Sequence, residues 1–286
     1  MRTSGDYHLT DPSWCPGCGI YAVFSALKKC AAELNLSPEE IVVVTGIGCH
    51  GRLSNYFYAY GFHGLHGRVL PVASGIKLAN PALSVIGVSG DGDAYSIGLS
   101  HLVHALRRNV SLLYIVVDNR LFALTQGQTS PTSRIGFVSR STPYGAKERP
   151  LDGIKIALAA GGTFIARGFS GEPSHLVKLF LRALKHRGFA FVEVLSPCVT
   201  QNRMDTYKWF KNHILRIDAE PGFDASDRDK AWEKLGSGEK IPIGLFYEEE
   251  RPSFEEIVLP DLKKPIASHR LEISERKFEK LLKEFE

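Results

Sequence analysis

Short, nearly continuous apolar runs alternate along the chain with longer stretches in which apolar residues recur every three or four positions. The runs are Ile41–Thr45, Leu83–Val88, Leu112–Val117, Thr163–Ala166 and Phe189–Leu195. They are rich in β-branched and aromatic residues, as suits strands covered on both faces. The longer stretches have helical spacing. Ile20, Val23, Phe24, Leu27, Ala31 and Leu34 fall on one helical face. Pro173 and Ser174 open a second helix carrying Leu176, Leu179, Phe180, Ala183 and Leu184. This alternation predicts an α/β fold, a mostly parallel sheet with helices on both faces. In such sheets ligands sit beyond the carboxyl ends of the strands.

The pattern changes after Cys198. The sequence becomes more polar and holds turn signals at Glu220-Pro221-Gly222 and Gly236-Ser237-Gly238. One apolar patch, Ile241–Tyr247, interrupts it, and a charged helix is expected over Ser274–Phe285. The division expected is an α/β domain over residues 1–199 and an extended C-terminal arm over 200–286. That arm would pack on the core, on a partner subunit, or on both.

Composition narrows the function classes. With 44% hydrophobic and 23% charged residues, the chain is globular rather than disordered, collagen-like or disulfide-stapled. A net charge of +4 gives no case for nucleic-acid binding. The longest apolar runs are strand-sized, whereas a membrane span needs about 20 apolar residues. Residues Met1–Ser13 carry no apolar signal core. The expectation is a cytoplasmic protein. Its five cysteines are then ligands or free thiols rather than disulfides.

Two motifs carry chemistry. Gly90-Asp91-Gly92-Asp93 follows the run Leu83–Val88, and its glycines allow backbone to approach a phosphate closely. The next strand runs into Asp118-Asn119-Arg120-Leu121. Residues 93–118 suffice for one helix and one strand, so both motifs return to the same sheet edge. Asp91, the Asn119 amide oxygen and a backbone carbonyl can converge there on Mg²⁺, which takes oxygen ligands and phosphates. A ligand-free turn explains GDG alone, but not the asparagine at this spacing.

The second motif is a set of cysteines. Cys15 and Cys18 form a C-x-x-C on a turn before a helix, Cys49 follows one strand and Cys198 another. Four thiolates together bind zinc or an iron–sulfur cluster, whereas a lone C-x-x-C is a redox dithiol. A pair plus two distant singles favours a cluster over zinc. Cys30 lies inside the first helix and is expected to be a semi-buried thiol.

Together these segments resemble the β subunit of the 2-oxoacid:ferredoxin oxidoreductases, especially the archaeal two-subunit type. The residues concerned are WCPGCG at 14–19, TGIGCHG at 45–51, LHGR at 65–68, GIKLANP at 75–81, GDGDAYSIG at 90–98, DNRLFALTQGQTSPT at 118–132 and SPC at 196–198. KIPIGLFY at 240–247 also resembles the archaeal C-terminal region. The resemblance implies a thiamine diphosphate-binding fold, with Mg²⁺ on Asp91, Asn119 and the Leu121 carbonyl. It implies one [4Fe–4S] cluster on Cys15, Cys18, Cys49 and Cys198. Cofactor contacts would come from Ile47, Gly48, Cys49, His50, His66, Gly92, Asp93, Ala123 and Leu124. The implied reaction is oxidative decarboxylation of a 2-oxoacid with coenzyme A to acyl-CoA and CO2, with electrons passing through the cluster to ferredoxin. Ala123 and Gln126 depart from the commoner pattern in the loop expected to line the substrate pocket.

Thiamine enzymes activate the cofactor with a glutamate. Glu33, Glu39 and Glu40 fall at a helix end and in the following turn, and none suits. The family takes this residue from the α subunit, which implies an αβ unit or an α2β2 assembly. The alternatives are a non-redox thiamine diphosphate enzyme, which needs no cysteines, a zinc-stabilised binding subunit, and an electron-transfer subunit that has lost thiamine. His63 and His66 form an H-x-x-H pair for which a metal role is the weaker reading. Arg107 and Arg108 are a candidate basic patch for an acidic ferredoxin.

Overall fold

The computed structural model describes residues 2–236, 239–260, 265–268 and 272–285. Ser237 and Gly238 of the second expected turn lie outside the described residues. The strands are β1 (Ile41–Thr45), β2 (Tyr60–His63), β3 (Ser84–Gly90), β4 (Leu112–Asp118), β5 (Phe164–Phe169), β6 (Phe189–Leu195), β7 (Ile214–Arg216) and β8 (Ile241–Glu248). They form one sheet of eight, in the order β2-β1-β3-β4-β6-β5-β8-β7. From β2 to β5 every neighbouring pair is parallel, and β8 joins β5 antiparallel.

Every residue of β1, β4, β5 and β6 is buried, which is why those runs show no polar alternation. Helices α1 (Ile20–Glu33) and α7 (Pro173–Lys185) cover one face. There Phe24, Leu27, Leu176 and Phe180 meet Val43, Val88, Ile115 and Val192. Helices α3 (Val69–Ala79), α5 (Leu99–Arg108) and α6 (Gly153–Ala159) cover the other. There Leu70, Leu102, Leu106 and Ile154 meet Val42, Val44, Val116 and Phe191. Successive residues such as Val42 and Val43 thus feed opposite cores, as the two-residue period of a strand requires.

The region after Cys198 enters the sheet. Ile241–Tyr247 is the greater part of β8, and its inner residues Ile243–Tyr247 are buried. β7 lies beyond it, parallel to β8. The charged terminal helix forms over Glu275–Leu282 with Ser274 at its N-cap, and no residue in it is buried. At the other edge, β2 went unpredicted because all four of its side chains are exposed. Its pairing with β1 comes from backbone, which leaves no apolar signature.

Asn109 ties the later chain to the core. It closes α5 in the left-handed region at φ +59°, a conformation asparagine tolerates. Its Oδ1 accepts from Phe189 N at 2.8 Å and Thr163 Oγ1 at 2.7 Å, and its Nδ2 donates to the Arg251 and Pro252 carbonyls. Asn109→Ala orphans several buried partners, at about 1–3 kcal/mol each. Urea unfolding is expected to show a loss of about 2–4 kcal/mol. Asn109→Gly, which relieves the backbone but lacks the amide, is expected to lose as much. Near-wild-type stability in the glycine variant would show that the side chain is not the tie.

Candidate functional site

Because β1, β3, β4 and β6 are parallel neighbours, their carboxyl ends share one edge. From that edge emerge Gly46–His50, Asp91–Asp93, Asn119–Leu121 and Ser196–Cys198. Backbone bonds stitch the exits together, with Gly46 N donating to Val88 O and Ser196 N to Asp118 O at 2.8 Å. Between them lies a cavity of about 310 Å³. Its walls include Ile47, Gly48, Cys49, His50 and His66, then Asp91, Gly92 and Asp93, then Asn119, Leu121, Ala123 and Leu124. Every residue expected to touch a diphosphate, its magnesium or its cofactor therefore faces one space.

Glycines make that space. A Cβ on Gly92 would stand 2.2 Å from the Phe122 ring, and one on Gly46 2.0 Å from Asp93 Oδ2. Both backbones come closer to their neighbours than any side chain permits.

The acids here are buried and held. Asp91 opens the short helix α4 (Asp91–Tyr95) and is 1% exposed. Ser130 Oγ and Thr132 Oγ1 both donate to its Oδ2, the latter at 2.7 Å. Burial pushes its pKa up to about 6, against those hydroxyls and the backbone N–H groups of Asp91 and Asn119. At neutral pH it remains ionised. Thr132 Oγ1 is also 2.8 Å from Asp118 Oδ1. One hydroxyl has one proton, so the two carboxyls share it, and Arg120 N also donates to Asp118 Oδ1, at 3.0 Å. Burial, with Asp91 beside it, pushes the Asp118 carboxyl well above its usual range.

Asn119 Oδ1 accepts from Leu121 N at 3.1 Å, across a turn in which Arg120 takes φ +62°. Arg120 is fixed by Asp205 at 2.9 Å and lies over the Phe210 ring. Asp93 accepts from Gly67 N and Ser89 Oγ, each at 2.7 Å. His66 Nδ1 is 2.9 Å from Asp93 Oδ1 but outside hydrogen-bonding alignment, and it is buried with no partner. That nitrogen faces the Asp93 carboxylate. His63 turns away to Thr45 Oγ1 at 3.0 Å, so the H-x-x-H pair does not converge.

The cysteines line a second cavity of about 310 Å³. Cys15, Cys18, Cys49 and Cys198 all face it. Burial and the three neighbouring cysteines push the Cys18 thiol up to about 11, against a bond from the Ile20 backbone. Trp14 Nε1 donates to the Cys49 carbonyl at 2.7 Å. Among the described residues, no three His, Cys, Asp or Glu side chains are gathered as one metal ion would need them. Cys30 stands apart inside the core, its Sγ donating to Val177 O at 3.5 Å and its thiol pushed up to about 12 by burial. Cys49, Asn119, Ala123 and Leu124 belong to the walls of both cavities.

Other expected residues fall elsewhere. Arg107 and Arg108 end α5 just before β4 begins, at the sheet edge opposite the cysteines. They form no basic patch beside them. Glu39 and Glu40 lie at that same far edge, in the turn entering β1. No glutamate lines the first cavity among the described residues. The hydroxyls of Ser130 and Thr132 were missed as site residues, since a serine and a threonine in a polar loop carry no signal until the fold sets them on Asp91.

His50 gives a direct test. It is 5% exposed, and its Nε2 accepts from Gly90 N at 3.0 Å, so the neutral ring keeps its proton on Nδ1. Burial pushes its pKa down to about 4, against the opposing pull of Asp93. A histidine that resists protonation when folded gives stability present above pH about 6.5 and lost as pH falls toward about 4. Between pH 7 and 5 the chain is expected to lose about 2 kcal/mol from this residue. Unfolding curves of His50→Gln should be flatter by that amount. An identical pH dependence in the variant would contradict a buried neutral ring.

Comparison with known proteins agrees with this arrangement. Residues 46–194 match the family described as thiamine pyrophosphate enzyme, C-terminal TPP binding domain. Residues 198–263 match the family described as the C-terminal part of the pyruvate ferredoxin oxidoreductase beta subunit. The chain is 40% identical over 249 residues to the 2-oxoacid:ferredoxin oxidoreductase subunit beta of Saccharolobus solfataricus, covering 83% of this chain and 82% of that one. It is 38% identical to subunit beta of 2-oxoacid:ferredoxin oxidoreductase 2 of Aeropyrum pernix, covering 93% and 91%. A solved 2-oxoglutarate:ferredoxin oxidoreductase from Magnetococcus marinus, with 2-oxoglutarate, coenzyme A and succinyl-CoA bound, superposes with a TM-score of 0.91 at 33% identity. That match covers 98% of this chain and 96% of the other. The sheet exits that share one cavity, the four cysteines that line the next and these relatives lead to one assignment: the chain belongs to the β-subunit family of the 2-oxoacid:ferredoxin oxidoreductases.

Proposed function

We propose that this chain binds thiamine diphosphate and one [4Fe–4S] cluster. With an α subunit it would carry out CoA-dependent oxidative decarboxylation of a 2-oxoacid to acyl-CoA and CO2, delivering electrons to ferredoxin. The observation that carries this reading is the common wall of the two cavities. When bound, thiamine diphosphate supplies an electron sink for decarboxylation, and a cluster accepts electrons singly.

The chain's own residues divide the work. Asp91, Asn119 and the Leu121 carbonyl offer one carboxylate, one amide oxygen and one main-chain oxygen, the kind of partial set that Mg²⁺ completes with phosphate oxygens and water. Ser130 and Thr132 hold the Asp91 carboxylate in one orientation. Asp93 holds the Gly67 backbone, with His66 against it, and His50 offers a neutral ring. Ile47, Gly48, Cys49, Gly92, Ala123 and Leu124 supply the remaining cofactor contacts. Cys15, Cys18, Cys49 and Cys198 hold the cluster.

Among the described residues no glutamate lines the first cavity, and its walls end in the exposed side chains of Ile47, at 40%, and Leu124, at 51%. A site with an apolar rim and no activating acid is half of a site, and the α subunit supplies the other half.

Isothermal titration of thiamine diphosphate with Mg²⁺ into the assembled αβ complex tests the assignment. Asp91→Ala is expected to weaken binding by at least about 100-fold and to abolish 2-oxoacid oxidation, with iron content unchanged. Wild-type affinity in that variant would refute the magnesium role. The purified chain alone is expected to oxidise no 2-oxoacid until the α subunit is added. Full turnover without it would refute the half-site reading.

A further inference from the structure

Thr200 stands between two of the four cysteines. Its Oγ1 is 3.4 Å from Cys198 Sγ and 4.0 Å from Cys15 Sγ. Among the described residues it is the only side chain hydrogen-bonded to any of the four sulfurs, and it touches two. Cys198 is buried and Cys15 exposed, so the hydroxyl spans the inner and outer parts of the cavity mouth.

With free thiols, the Cys15 S–H donates to Thr200 and the hydroxyl lies against Cys198. Cluster thiolates carry no proton and only accept. The hydroxyl then becomes the donor, and Cys198 Sγ, the nearer sulfur, is its acceptor. We propose that Thr200 is a positioning residue whose hydroxyl, by donating to the ligated Cys198 sulfur, sets the reduction potential of the cluster and so its readiness to accept an electron.

This rests on the proposed cluster assignment and adds to it. One-electron reduction adds one negative charge, shared by the irons and their sulfur ligands, while the threonine keeps its proton. A donor at sulfur stabilises that more negative state more than the oxidised one, which raises the potential. Cys18 and Cys49 accept backbone N–H bonds but have no side-chain donor among the described residues, so Thr200 is the donor that a substitution can remove.

The test is an EPR-monitored redox titration of the anaerobically assembled αβ complex, with dithionite as the electron source and soluble mediators. Thr200→Val keeps the shape and removes the donor; Thr200→Ser keeps the donor. At a fixed potential Thr200→Val is expected to lower the reduced-to-oxidised ratio about tenfold, a midpoint about 59 mV more negative for one electron. Thr200→Ser is expected to retain the wild-type midpoint. An unchanged midpoint in Thr200→Val, or an equal shift in both variants, overturns the proposal. If Thr200→Val fails to hold the cluster, the proposal requires Thr200→Ser to hold it fully, and equal loss from both overturns it. Iron and sulfide in the wild-type complex report separately on the cluster assignment, so failure of that reading is distinguishable from failure of this one.

Discussion

Parallel pairing of β1, β3, β4 and β6 is the constraint on which the site depends. Parallel strands must each be followed by a crossover, so all of their carboxyl ends open on one edge. Segments far apart in sequence, at residues 46–50, 91–93, 119–121 and 196–198, become neighbours without any long loop being folded inward. The cost of that placement falls on the core. Buried strands and five helices, divided between two faces, hold the edge rigid enough for backbone to form most of a cavity wall.

At that edge the chain accumulates buried acid. Asp91, Asp93 and Asp118 are each nearly inaccessible. Three ionised carboxylates so close would repel strongly in a low-dielectric setting. The structure manages this in different ways. Asp93 is surrounded by donors from Gly67, Ser89 and Ile47. Asp118 is pushed toward its neutral form and shares Thr132 with Asp91. Asp91 remains the carboxylate on the cavity wall, where a divalent cation would relieve its burial. A shared wall, at Cys49 and Asn119, connects this acidic region with the thiols.

The sequence was legible where burial is complete on both sides of the sheet. β1, β3, β4, β5 and β6 were readable from apolar runs; β1 and β6 match theirs, whereas β3, β4 and β5 continue two, one and three residues further, β3 into Ser89 and Gly90. β2 was invisible because its exposed side chains carry no pattern. β8 was visible as an apolar patch but not as a strand of this sheet, since antiparallel pairing with β5 is a tertiary fact. The cavity residues were legible through their motifs. Ser130, Thr132 and Thr200 were not, because hydroxyls gain meaning only from what the fold sets opposite them. Arg107 and Arg108 show the converse: adjacent in sequence to the site helix, they sit at the far edge because α5 runs back across the sheet.

The central claim is that one edge of this chain holds a phosphate-bound cofactor against an electron-accepting cluster. Iron, acid-labile sulfide and zinc measured on the anaerobically purified αβ complex test it most directly. About four irons and four sulfides per β chain, with no stoichiometric zinc, is the predicted result for one cubane on four cysteines. One zinc per chain without sulfide would contradict it, leaving a structural thiolate site and no local carrier for the electrons.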